Sequence, residues 1–188
     1  MTTATVPATT GVPLVLRRLY FVRFGFALVW AVLLFATASS IGVLSATLLV
    51  LYPLFDVAAA VVDARSSRAA GATPHGLYAN IVISTLAAVG LTLALGSGVA
   101  GVLRVWGAWA VVAGLVQLAV ALRRRALGGQ WALIASGSIS VLAGVNFVVM
   151  AASDGASLAS VAGYALLGGV FFLVSALRLG HARPKRSR

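Results

Sequence analysis

Four polar side chains stand inside otherwise apolar runs of this sequence: Arg23, Asp56, Asn80 and Gln117. An Asp at the centre of a membrane-spanning helix costs about 2.5–3.5 kcal/mol to insert, less near the interface. Something must offset that cost, and ionisable groups inside a span are functional candidates for that reason. Asp56 lies six residues before Val62, so about 9 Å inside the end of its run. Arg23 carries the opposite charge at a similar depth in the preceding run, and Asn80 and Gln117 fall at comparable depths in the two that follow. A polar cluster of Arg23, Asp56, Asn80 and Gln117 near one leaflet is therefore expected. Three readings stay open: a buried pair that holds helices together, a site that responds to protons or a ligand, or unrelated residues facing different ways.

Other chemistry is scarce. The chain has no cysteine, which removes disulfides and thiolate metal sites. There is no H-E-x-x-H, no P-loop, no dinucleotide fingerprint and no pair of carboxylates at metal-ligand spacing. No serine has a credible His and Asp beside it, so no catalytic residue, metal or cofactor is expected, and the chain reads as no enzyme. Asp63 is expected at the interface, paired with Arg65 or a neighbouring base. Arg104 is expected to reach outer headgroups, and Asn146 to make a packing hydrogen bond. His75 and His181 read as solvated loop and tail residues.

The elements that must position these groups follow from composition. Of 188 residues, 61% are hydrophobic and 9% charged, whereas soluble domains are about a quarter charged. So few charges cannot cover a sphere in water, and the apolar excess must face lipid. A spanning helix needs about 20 apolar residues. Six runs qualify, roughly Leu19–Ala38, Ile41–Val62, Leu77–Leu95, Val99–Leu122, Trp131–Met150 and Ser157–Leu179. The predicted fold is an all-α integral membrane bundle of six transmembrane helices as three tandem hairpins, 19–62, 77–122 and 131–179. A cytoplasmic tail, 1–18, precedes the bundle of 19–180, and a basic tail, 181–188, follows it.

Charge orients the bundle. The connections "TASSIG", "GSGVAG" and "AASDGAS" are short and nearly uncharged, while "DARSSRAAGATPHG" and "RRRALGGQ" are basic. Thirteen of the fourteen Lys and Arg fall on the side of the basic loops and both chain ends, Arg104 alone lying near the other. Basic residues beside spans stay cytoplasmic, so both termini are expected there, in the inner membrane of a bacterium. Arg123, Arg124 and Arg125 read as a stop signal and headgroup anchor. The net charge of +11 is thus a matter of topology, and no nucleic-acid partner is expected. A competing reading treats the first run as a signal peptide cleaved after Ala38, which would leave an odd number of spans.

The runs resemble one another. Shifted by 55 residues, Ala110, Gly114, Leu118 and Arg123 fall on Ala165, Gly169, Leu173 and Arg178, with Trp109 on Tyr164. Shifted by 57, Tyr52 falls on Trp109. Tandem hairpin repeats of one orientation account for this. Close helix approach in lipid relies on small residues, and Ala110-x-x-x-Gly114, Ser140-x-x-x-Gly144 and Ala165-x-x-x-Gly169 supply such faces. They suit packing within the bundle or a homo-oligomer interface.

These features carry a resemblance. "WGAWAVVAGLVQLAVALRRR", then "QWALIASGSISVLAGVNFVVM" and "GYALLGGVFFLVSALR", resemble the HdeD-like family of bacterial membrane proteins over about residues 15–180. The likeness rests on Trp109, Gly114 and Arg123, on the run from Gly137 to Gly144, and on Tyr164 with Gly169; Asp56 resembles an acidic residue of the family's first repeat. The outer turns lack the family's proline, and the first run lacks the paired glycines of the fifth. The resemblance implies six spans and a role in acid resistance or stress response. The expected function is a non-enzymatic polytopic membrane protein of that type. The alternatives are a small transporter or channel, or a scaffold subunit. Its partners would be the lipid bilayer and a second copy or another membrane protein.

Overall fold

The computed structural model describes residues 11–69, 71–123, 125 and 130–181. They form six α-helices: α1 (Gly11–Ala36), α2 (Val43–Ala69), α3 (His75–Ala94), α4 (Gly98–Arg123), α5 (Trp131–Met150) and α6 (Ala159–His181). Among the described residues there is no strand. Five helical stretches are long and apolar enough to cross a membrane, the third being 49 residues from His75 to Arg123. At 1.5 Å per residue that stretch would run about 73 Å, far beyond a hydrocarbon layer of about 30 Å. It does not run straight. A short 3-10 turn, Leu95–Ser97, and Gly98 at φ 69° divide it into α3 and α4. Glycine takes that left-handed backbone without a Cβ clash. The chain then folds back, with Gly90 facing Val105 and Gly76 facing Val120.

Several helices outrun the apolar segments. α1 begins at Gly11, so Arg17 and Arg18 sit on helix within the segment expected as a tail. α2 continues to Ala69 through Asp63, Arg65 and Arg68. Nothing in "DARSSRA" breaks a helix, and the first breakers are Gly71 and Pro74, the latter standing before α3. α6 runs through His181, taking in the first residue of the expected basic tail.

Neighbouring helices are antiparallel, and α1 packs on α6 to close the ring. The closest pairs are α4 with α5, α1 with α6 and α2 with α3. These join one expected hairpin to the next, whereas the backbones of α5 and α6, legs of the same hairpin, stand further apart and meet through longer side chains such as Tyr164 and Phe147. Glycine explains the closest pair. A Cβ on Gly144 would come 2.6 Å from the Gly107 carbonyl, and one on Gly114 2.7 Å from that of Gly137. Only bare backbones approach so closely, and in lipid such van der Waals contact drives helix association.

The middle of the ring is aromatic. Trp30 and Trp106 stack at 5.5 Å between centroids, with Tyr52 4.6 Å from Trp30 and Trp109 5.1 Å from Trp106. Leu34, Leu49, Leu91, Leu103 and Leu158 complete the core. The outside is as apolar as the inside: Val43, Leu93, Leu142 and Phe35 are largely exposed, as a lipid-facing surface requires. Hydroxyls on the helices are satisfied locally. Thr47, Thr85, Thr92 and Ser175 each donate to the carbonyl four residues back, at 2.7–2.8 Å. These four hydroxyls need no partner from water.

Candidate functional site

The site is built around Asp56. α2 carries Pro53 within its length, and proline lacks the N–H that would continue the helical ladder. One turn away, the Leu48 carbonyl accepts a hydrogen bond from Trp30 Nε1 of α1 at 2.6 Å. That contact pins α1 to α2 and sets their register. The same register brings Arg23 level with Asp56.

Asp56 is held from two sides. Its Oδ1 accepts from Arg23 Nη2, the one salt bridge among the described residues. Its Oδ2 accepts from Asn80 Nδ2 at 2.6 Å and from Ser84 Oγ at 2.8 Å. Asn80 and Ser84 are four residues apart, on one face of α3. Ser84, fully buried, accepts in turn from Trp109 Nε1 of α4 at 3.2 Å. On its far side the Arg23 guanidinium lies 4.4 Å from the centroid of the Phe172 ring of α6. One charged pair thus ties together α1, α2, α3, α4 and α6. Arg23 is 9% exposed and the Asp56 side chain 18%. The carboxylate's two oxygens have three donors, so both charges are compensated despite burial.

Three of the four residues expected to cluster therefore touch, and Gln117 does not join them. Its Nε2 donates to the Leu133 carbonyl of α5 at 3.2 Å. The reason is the face it occupies. Gly76 faces Val120 and Gly90 faces Val105, so Gln117 is nearly level with Asn80, but it shares the side of α4 on which Gly114 and Leu118 pack against Gly137 of α5. Because α2 extends to Ala69, Asp56 stands at the midpoint of its helix, about 20 Å from either end, while the added turns beyond Val62 are polar. Arg23 in α1 and Ser84 in α3 are likewise near mid-helix.

The other expectations divide. Ala110, Gly114, Ser140, Gly144, Ala165 and Gly169 all serve contacts within the chain. Ala110 and Ala165 are buried. Gly114 meets Gly137 and Ser140, Gly144 meets Gly107 and Val111, and Gly169 meets Ala27 and Phe24 of α1. Gly107 and Gly137 were missing from the expected set; each lies seven residues from Gly114 or Gly144, a spacing that returns to the same helix face. Ser140 Oγ also accepts from Tyr164 OH at 2.8 Å.

Arg123 ends α4 and Arg125 is exposed, while Arg124 lies outside the described residues. Asp63 forms no salt bridge with Arg65; it is hydrogen-bonded to Ser67 and feels the charge of Arg23. Asn146 donates to Met150 Sδ in its own helix rather than to a neighbour. Arg104 and His75 are exposed. Arg178 lies 4.7 Å from the centroid of the Trp131 ring, clipping the end of α6 to the start of α5.

Ser84, Trp109 and Phe172 belong to the site yet were not foreseen in it. The i, i+4 spacing of Asn80 and Ser84 was the available signal for the first. Chemically, the arrangement is a carboxylate whose charge depends on one guanidinium, with neutral donors around it. Among the described residues no three His, Cys, Asp or Glu side chains group to hold a metal. Compared with family models, with curated proteins and with solved structures, the chain matches none of them.

Proposed function

We propose that this chain is a non-enzymatic, six-span protein of a bacterial cytoplasmic membrane, of the HdeD-like type, whose role is tolerance of acid or related stress. The Arg23–Asp56 pair is the group through which it acts. The observation that carries this reading is the pair itself, a charged couple at mid-helix on which five helices converge. Each charge depends on the other, so the packing of those helices depends on the pair. The positive charge of the loops and ends supports cytoplasmic termini.

Internal repetition supports the three-hairpin origin. The shift of 57 that lays Tyr52 on Trp109 also lays Arg23 on Asn80 and Ala27 on Ser84. Arg23 and Asn80 both bind Asp56. Trp109 donates to Ser84, 25 residues earlier, and Tyr164 to Ser140, 24 residues earlier. In the first hairpin the matching position is Ala27, which has no hydroxyl. A transporter or channel would need a polar path through the bundle, and stacked Trp30, Tyr52, Trp106 and Trp109 occupy its middle.

The test is survival of a deletion strain after acid challenge, complemented with wild type, Asp56→Asn, or the neutral pair Arg23→Gln/Asp56→Asn. Deletion is expected to lower survival. The neutral pair is expected to reach normal membrane levels and fail to rescue. Full rescue by the neutral pair would assign the couple to structure alone, and unchanged survival on deletion would remove the acid role.

A further inference from the structure

Arg65 and Arg68 are one helical turn apart on α2 and exposed, and their guanidinia make no hydrogen bond or salt bridge among the described residues. Asp63, the neighbouring carboxylate, forms no salt bridge with either of them and is hydrogen-bonded to Ser67. Between α2 and α3 lies an open cleft of about 160 Å³, lined by Val61, Ala64, Arg65, Arg68, Tyr78 and Ile81. The α2 lining follows an i, i+3, i+4, i+7 stripe, so it is one face of that helix. Because α2 and α3 are antiparallel, Val61 and Ile81 form the deep end, while Arg68 and Tyr78 lie toward the helix ends. The cleft is apolar at its deep end and doubly basic, with a phenol in the same lining, toward the helix ends.

We propose that this cleft is a binding site for an anionic phospholipid. Its phosphate would sit between the Arg65 and Arg68 guanidinia, with the Tyr78 hydroxyl as a further donor. Its glycerol and upper acyl chains would lie along Val61 and Ile81. Guanidinia pair with phosphate through parallel N–H donors, and basic clefts between spanning helices suit anionic headgroups. The depth gradient selects a lipid over free phosphate, which would have no use for the apolar end. The proposal is independent of the acid-tolerance reading and of which side of the membrane this end faces.

Purified full-length protein in neutral detergent is titrated with phosphatidylglycerol, with phosphatidylcholine of the same chains, and with inorganic phosphate, while thermal unfolding is followed. Phosphatidylglycerol is expected to raise the unfolding midpoint, and the other two to leave it in place. In Arg65→Gln/Arg68→Gln the half-effective concentration is expected to rise roughly 30-fold. Arg123→Gln, a basic residue at another helix end, is expected to match wild type. If the double variant does not fold, Arg68→Gln alone carries the comparison, with a rise of about fivefold. An unchanged response in the Arg65/Arg68 variants, an equal loss in Arg123→Gln, or an equal shift with inorganic phosphate would each overturn the proposal.

Discussion

Arg23 and Asp56 lie 33 residues apart in sequence, yet their charged groups meet at the midpoints of two antiparallel helices. Removing either partner leaves the other buried and uncompensated, which typically costs 3–5 kcal/mol, whereas removing both charges costs far less. Asp56→Asn and Arg23→Gln are each expected to lower the unfolding midpoint strongly, and the double variant to recover most of the loss. A double-mutant cycle by thermal unfolding in detergent measures the coupling, and additive single losses would show that the pair does not act as one.

The α4–α5 joint depends on bare backbone. Gly144→Val puts side-chain atoms where the Gly107 carbonyl and Val111 already lie, within 3 Å of the new Cβ. Overpacking of this kind costs about 1–3 kcal/mol. Gly163→Ala in α6 meets nothing within 4 Å, so it is expected to be neutral or mildly stabilising through helix propensity. Equal effects of the two would contradict the close approach.

Trp30 contributes a hydrogen bond as well as a ring. Trp30→Phe keeps an aromatic near Tyr52 and Trp106 but removes the donor to the Leu48 carbonyl. A loss of about 0.5–1.5 kcal/mol is expected, the worth of one hydrogen bond, because that carbonyl stays within the α2 ladder. Hydrogen exchange of the α2 amides around position 52 is expected to quicken, and an unchanged rate would show that the Trp30 bond does not hold this segment.

Orientation is testable on a clean background, since the chain has no cysteine. Ala72 and Ser97 are exposed in connections at opposite ends of α3. Ser97→Cys is expected to react with a membrane-impermeant maleimide in intact cells. Ala72→Cys is expected to react only after the membrane is opened. The reverse pattern would invert the proposed topology.

Much of the architecture was legible in the sequence because lipid imposes a simple rule. Every backbone polar group in hydrocarbon must be satisfied within its segment, so an apolar run of sufficient length is a helix, and the positions of six helices could be read from hydropathy alone. Asp56 stood out for the same reason, as a charge in an expensive place. Tertiary structure decided what those rules leave free. Register between helices placed Ser84 and Trp109 on the Asp56 network and sent Gln117 to α5, because one residue of slip rotates a helical side chain by about 100°. Helix extension through Ala69 moved Asp56 to mid-helix, since polar residues such as Arg65 and Ser67 remain good enough helix formers when no Gly or Pro intervenes. Which helices pack closest depended on facing pairs of glycines, Gly107 with Gly144 and Gly114 with Gly137. A single helix shows its own small residues, but whether a partner's small residues lie opposite is a property of two helices together.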